Sequence, residues 1–130
     1  MESGGGPGAP LEHAVLQMIA QGVQCFDAGA FWHAHEAWEH AWKRERGHDR
    51  HFLKGLIQFA AALHHWHRGR TIAVERLLGQ AAGHLSTHHS QRWPFVTEAV
   101  LQQIVAARAA LHAGGDAPRP RLLPHYRGHG

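Results

Sequence analysis

Four side chains in the middle of the sequence have the chemistry and the spacing of a binding site. His35 and Glu39 are four residues apart, and Gln58 and His65 are seven apart, so each pair shares one face of a helix. The connection between the two helices is short, which favours antiparallel neighbours whose faces converge. We therefore predict a cluster of imidazole, carboxylate and amide groups between the second and third helices.

The tryptophans that follow His35 predict that this cluster lies inside the protein. Trp38 and Trp42 come three and seven residues after His35, which puts them on the same helical face as His35 and Glu39. Two indole rings are expected to point into the core and to carry the polar pair inward with them. Ionisable side chains are rarely buried unless they are paired, hydrogen-bonded or bound to a ligand.

One interpretation of the cluster is a transition-metal site. His35, His65 and Glu39 offer two imidazoles and a carboxylate, a ligand set that suits zinc, manganese or iron. Glu36 lies about 100° round the helix from His35, and in a metal-dependent hydrolase it would act as general base for a metal-bound water. Position 39 is glutamate, so the His-Glu-x-x-His pattern of metalloproteases is not formed.

Two other interpretations of the cluster stay open. It can hold a small organic or anionic ligand, or it can be a closed polar network that stabilises the helices, with function at an oligomer interface. We favour a binding or interaction module for a small ligand or a metal, with a protein partner or a second copy of the chain as alternatives. The predicted pocket consists of His35, Glu36, Glu39, Trp42, Gln58 and His65.

Histidine is unusually common outside this cluster as well, with fifteen in the chain. His84 and His88 are four residues apart, so both can reach one transition-metal ion from a single helix face. Pairs of this kind also arise by chance in a histidine-rich sequence. Adventitious binding to nickel resin is therefore the simpler expectation for them.

Apolar periodicity and turn residues predict an all-α fold, a compact antiparallel bundle of about five helices. The predicted helices span about residues 10–27, 30–46, 51–68, 71–87 and 94–113, with Gly29 and Gly69 ending the first and third and Pro94 opening the fifth. Residues 10–113 are predicted to form one domain after a disordered lead-in over residues 1–9. Residues 114–130 form a tail rich in proline, arginine and glycine, pinned to the body by Leu122, Leu123 and Tyr126.

Composition narrows the class of protein. No apolar run approaches the ~20 residues that a transmembrane helix needs, so no membrane association is expected. Cys25 is the only cysteine, which excludes an internal disulfide and makes the cytoplasm the simplest location. The net charge is +3 and the basic residues form no dense run, so there is no strong signal for nucleic-acid binding.

Two sequence blocks carry a family resemblance. They read Phe26-Asp-x-Gly29-x-Phe31-x3-His35-Glu36-x2-Glu39-x2-Trp42 and Gly55-Leu-Ile-Gln58-x-Ala-Ala-x3-His65. Together they resemble the bacterial and archaeal "domain of unknown function" family numbered 309, a group of small all-helical proteins, over about residues 11–90. The resemblance marks as hallmark positions His35, Glu36, Glu39, Trp42, Gly55, Gln58 and His65.

The resemblance implies the same helical fold and the same site that the spacing predicts, and it implies no activity. One departure follows Gly69, where the family commonly has Gly-Asn and this chain has Gly69-Arg70. The turn is expected to survive, while any role of that asparagine is absent.

Overall fold

The computed structural model describes residues 8–47, 49–88 and 95–122, with side chains from residue 13 onward. Five helices form in this part of the chain, and the predicted all-α bundle is confirmed. None of them is long and apolar enough to cross a bilayer. The helices are α1 (Gly8–Asp27), α2 (Phe31–Arg44), α3 (Arg50–His67), α4 (Thr71–Thr87) and α5 (Thr97–His112).

Each helix packs against the next one along the chain, most extensively α4 against α3. Short connections between consecutive helices make the neighbours antiparallel. The third helix is buried on more than one side, because apolar residues recur on two adjacent stripes of its sequence. Its buried side chains include Phe52, Leu53, Leu56, Ile57, Phe59 and Leu63, and α3 is the central helix of the bundle.

Glycines in the left-handed conformation end α1 and α3, as the sequence predicts. Gly29 has φ +83° and Gly69 has φ +75°, a region in which a side chain would be strained. After α1, the N–H of Gly29 donates to the carbonyl of Phe26 and that of Ala30 to the carbonyl of Cys25. This pair of bonds is a Schellman motif, and it turns the chain so that α2 can pack back on α1.

A buried tryptophan joins α1 to α2. Trp38 has no exposed surface, and its indole N–H donates to the backbone carbonyl of Ile19 over 3.1 Å. A Cβ on Gly22 would lie 2.1 Å from Trp38 Nε1, so only glycine leaves room for the ring. The ring of Phe26 then contacts those of Trp38 and Phe59, with centroid distances of 5.8 and 5.3 Å, and extends this core to α3.

The end of α2 and the beginning of α5 differ from the sequence prediction. The second helix ends at Arg44 rather than Arg46, because Glu45 is extended (φ −80°, ψ 127°) and its carboxylate accepts the N–H of Gly47 over 2.9 Å. The fifth helix begins at Thr97, and the predicted opening at Pro94 lies outside the described residues.

The C-terminal segment is attached to the α1–α2 corner. Leu122 is fully buried, and its N–H donates to Asp27 Oδ1 over 2.6 Å. Arg121 Nε lies 3.7 Å from Asp27 Oδ2. The predicted anchoring by Leu122 is thus confirmed, while Leu123 and Tyr126 lie outside the described residues.

The contact between Gly22 and Trp38 leads to a first prediction. Gly22→Ala should destabilise the protein by about 1–3 kcal/mol, because the new methyl overpacks a rigid buried ring. Gly83→Ala is the matched control, since α4 has nothing within 4 Å of the added Cβ there. That control should stabilise by about 0.4–1 kcal/mol through helix propensity and a less flexible unfolded chain. Urea denaturation measures both changes, and equal effects of the two substitutions would contradict this packing.

Candidate functional site

One side of α2 forms an open cavity of about 250 Å³, called the α2 pocket below. It lies beside the buried face of the helix, which comprises Phe31, Ala34, Trp38 and Ala41. Three of the six predicted pocket residues line it, namely His35, Glu36 and Glu39. The complete lining is Trp32, His35, Glu36, Glu39, His40 and Lys43.

His35 and Glu39 lie at the edge of the buried face and not at its centre. Both are partly buried, whereas Trp38 is fully buried. With 100° of rotation per residue, Trp38 occupies the middle of the inward stripe, and His35 and Glu39 fall on one flank of it. The prediction that the tryptophan carries them inward is therefore correct in direction, but both side chains still reach the pocket.

The imidazole of His35 is held in a stack and keeps one nitrogen without a partner. It lies parallel to the indole of Trp32, with a centroid distance of 4.5 Å and an interplanar angle of 7°. Its Nδ1 is buried and has no hydrogen-bond partner in the described part of the chain. Burial lowers the pKa of His35, although the carboxylate of Glu39 partly offsets this effect. His35 therefore lines the cavity with an imidazole whose Nδ1 is buried and unpartnered.

The end of α3 contributes the opposite side of this region. The ring of Trp32 lies 4.9 Å from that of His64, and His65 is among the groups whose charge lowers the pKa of His35. Burial, followed by the charges of Arg70 and Arg68, lowers the pKa of His65. Its Nδ1 is also buried without a partner among the described residues. His65 thus acts on His35 electrostatically, but it does not line the α2 pocket.

Gln58 and Trp42 lie apart from the α2 pocket. The amide Nε2 of Gln58 donates to Gln80 Oε1 on α4 over 3.2 Å, while its Oε1 is buried and unpartnered within the described chain. The Trp42 ring is covered by two cations, with Arg50 Cζ 3.7 Å and Lys54 Nζ 4.6 Å from its centroid. These cation–π contacts make Trp42 a packing surface for the start of α3.

The predicted metal ligands do not form a cluster. In the three described stretches, one group of three metal-binding side chains has all of its ligand atoms within 4.8 Å of one another. It consists of His51, His84 and His88. The ring of Phe31 stacks on that of His67, with a centroid distance of 5.7 Å. This contact aligns the start of α2 with the end of α3, so Glu39 lies a helical turn beyond His35, on the side away from His65.

The spacing of His84 and His88 indicated two of these three ligands, and His51 was missed. His51 belongs to a different helix, 33 residues before His84, so no local spacing could have revealed it. A contact of this kind depends on how α3 and α4 pack.

Comparison with known proteins gives a family match, which covers the predicted pocket residues. Residues 19–77 match the model of a family described as "Domain of unknown function (DUF309)". The predicted resemblance to this family is confirmed. The DUF309 match contains all six predicted pocket residues and His51, but it ends before His84 and His88. No curated protein and no solved structure matches the chain.

A second prediction concerns acid stability. Burial lowers the pKa of His35, His64 and His65 in the folded state, so the unfolded chain binds more protons once the pH falls below about 6.5, the ordinary histidine value. Stability should therefore be complete above that pH and should fall as the pH drops toward the folded-state pKa values. Thermal denaturation from pH 8 to pH 5 measures this loss.

One substitution tests whether His35 contributes to this loss of stability in acid. His35→Gln should reduce the dependence of the melting temperature on pH, because one of the contributing imidazoles is removed. His33→Gln, on the exposed side of the same helix, controls for the loss of a histidine in general. An identical pH dependence in wild type and in His35→Gln would contradict the assignment to this cluster.

Proposed function

We propose that this protein is a binding module that holds a small polar organic molecule in the α2 pocket. The observation that supports this most directly is the buried, unpartnered Nδ1 of His35 in the wall of an open cavity. An unsatisfied buried polar group costs about 1–3 kcal/mol. A rotation of the His35 ring would bring this nitrogen to the cavity, where a ligand that completes its hydrogen bonding would recover much of that free energy.

The pocket wall indicates the chemistry of the ligand. Glu36 and Glu39 supply two carboxylates, whereas Lys43 supplies one ammonium group. Ionised carboxylates only accept hydrogen bonds, so the wall favours a ligand that carries N–H donors or a positive charge. Trp32 keeps 42% of its surface exposed, and its indole adds a flat apolar wall that suits a planar ring. A small nitrogen heterocycle with an amino group combines these properties.

The geometry favours this function over a closed structural network. In such a network the polar atoms of the cluster would be bonded to one another. Instead, His35 Nδ1, Gln58 Oε1 and His65 Nδ1 have no partner in the described part of the chain. The metal-dependent hydrolase, with Glu36 as general base, is disfavoured because His35, Glu39 and His65 do not converge on one ion. We retain the cytoplasm as the location and residues 10–113 as the binding domain.

Ligand binding is testable with defined probes. Histamine and adenine, which join a heterocyclic ring to an amino group, should bind with one site per chain in isothermal titration calorimetry. Glu39→Gln should weaken binding of the cationic histamine at least about tenfold, since a hydrogen bond to a charged group contributes about 1.5–3 kcal/mol. His33→Gln is the control on the same helix and should leave the affinity unchanged. The proposal would be contradicted if neither probe binds, or if Glu39→Gln leaves the affinity for histamine unchanged.

The structural alternative makes a different prediction for Glu39. If the cluster served only to stabilise the fold, Glu39→Ala should lower the free energy of unfolding by about 2–4 kcal/mol, because a buried group would be left without its partner. In the binding module, Glu39 is partly exposed, and the substitution should change stability by less than about 1 kcal/mol. Chemical denaturation of the purified variant separates the two outcomes.

A further inference from the structure

Three histidines meet where the beginning of α3 passes the end of α4. His51 lies in the first turn of α3, His84 in the last turn of α4, and His88 directly after that helix. One ring nitrogen of each lies within 4.8 Å of a ring nitrogen of the other two. The rings of His51 and His88 are stacked at 4.2 Å, and that of His84 lies 6.2 Å from His51 and 6.4 Å from His88.

We propose that His51, His84 and His88 form a binding site for one zinc ion, independent of the α2 pocket. Neutral imidazole is a preferred zinc ligand, and three protein ligands with a fourth position open to water form a common tetrahedral arrangement. Nitrogens bound at about 2.0–2.1 Å must approach one another more closely than the 4.8 Å limit of the cluster. Small rotations of the exposed His51 and the partly buried His88 supply that approach.

A hydrogen bond sets the tautomer of His88 for this role. Thr87 Oγ1 lies 2.9 Å from the carbonyl of Gly83 and 2.8 Å from His88 Nδ1. The Thr87 hydroxyl can donate to the carbonyl of Gly83, or more weakly to that of His84 at 3.4 Å. When its proton points to either carbonyl, His88 Nδ1 carries the proton that it donates to Oγ1. In neutral His88 this leaves the lone pair on Nε2, the form in which a metal-binding histidine is usually held.

The position of the cluster also suits metal binding. His84 lies in the last turn of α4 and His88 directly after it, and His51 comes from the neighbouring helix, so an ion would join two helix ends. The ammonium group of Lys54, one of the charges that act on His84, lies 4.6 Å from the Trp42 ring centroid. That cation–π contact occupies the ammonium. Because zinc would bind the folded arrangement more tightly than the unfolded chain, it should stabilise the protein.

The test uses untagged full-length protein, purified without metal-affinity resin and stripped with EDTA. Calorimetric titration with zinc chloride should give one site per chain, and zinc should raise the melting temperature. His51→Ala should weaken zinc binding at least tenfold. Because His51 is exposed, this variant should keep the wild-type melting temperature in EDTA. His84→Ala is a second test of zinc affinity, although this substitution can also perturb packing. Cobalt(II) should give the intense visible bands of a tetrahedral site in wild type and not in His51→Ala.

Thr87 provides a test of positioning. Thr87→Val removes the hydroxyl and should weaken zinc binding about tenfold, in line with losses seen for groups that orient metal-binding histidines, and Thr87→Ser should restore it. His33→Gln and Glu39→Gln should leave zinc affinity unchanged, which separates this site from the α2 pocket. Several weak ions per chain that are insensitive to His51→Ala would overturn the proposal, as would undiminished affinity in both His51→Ala and His84→Ala.

Discussion

The arrangement of the first three helices depends on the burial of one indole ring. Trp38 is fully enclosed, and a buried indole N–H needs an acceptor. The carbonyl of Ile19 provides it, and the missing side chain at Gly22 provides the space. These two contacts orient α2 about its own axis against α1. Every other side chain of α2 then has a set direction, including those of the candidate pocket.

That orientation explains why the pocket is polar and open. With Trp38 at the centre of the buried stripe, His35 and Glu39 are placed at its border and Trp32 and Glu36 further out. A side chain at such a border is desolvated on one side and accessible on the other. Burial consequently lowers the pKa of His35 while the ring still reaches the cavity. The same geometry keeps Glu39 in the pocket wall and away from His65.

The two proposed sites use histidine in different ways at opposite ends of α3. His51 and His65 are fourteen residues apart, which corresponds to about 21 Å along the helix axis. Near His65 the imidazoles are combined with carboxylates and indoles, a mixture that suits hydrogen bonding to an organic molecule. At His51 they are grouped with other imidazoles, a set that suits a transition metal. The central position of α3 makes both combinations possible within a small fold.

The α2 pocket was predictable in part, because His35, Glu36 and Glu39 lie within five residues on one helix and local spacing controls their directions. Trp42 and Gln58 were assigned to it by the same periodicity and lie elsewhere. Their places depend on Arg50, Lys54 and Gln80, which contact them across helix interfaces. Helical spacing specifies a direction around one axis and says nothing about which neighbour fills the space in that direction.

Local sequence patterns predicted the number and order of the helices, the glycine ends at Gly29 and Gly69 and the burial of α3. These features follow from periodicity and from backbone preferences that act over a few residues. The tertiary structure was needed to find that His51 joins His84 and His88, whereas His35, Glu39 and His65 form no such group of three. Such groupings require the relative rotation and register of two helices, which are set by packing contacts like that of Trp38 with Gly22 and not by any local pattern.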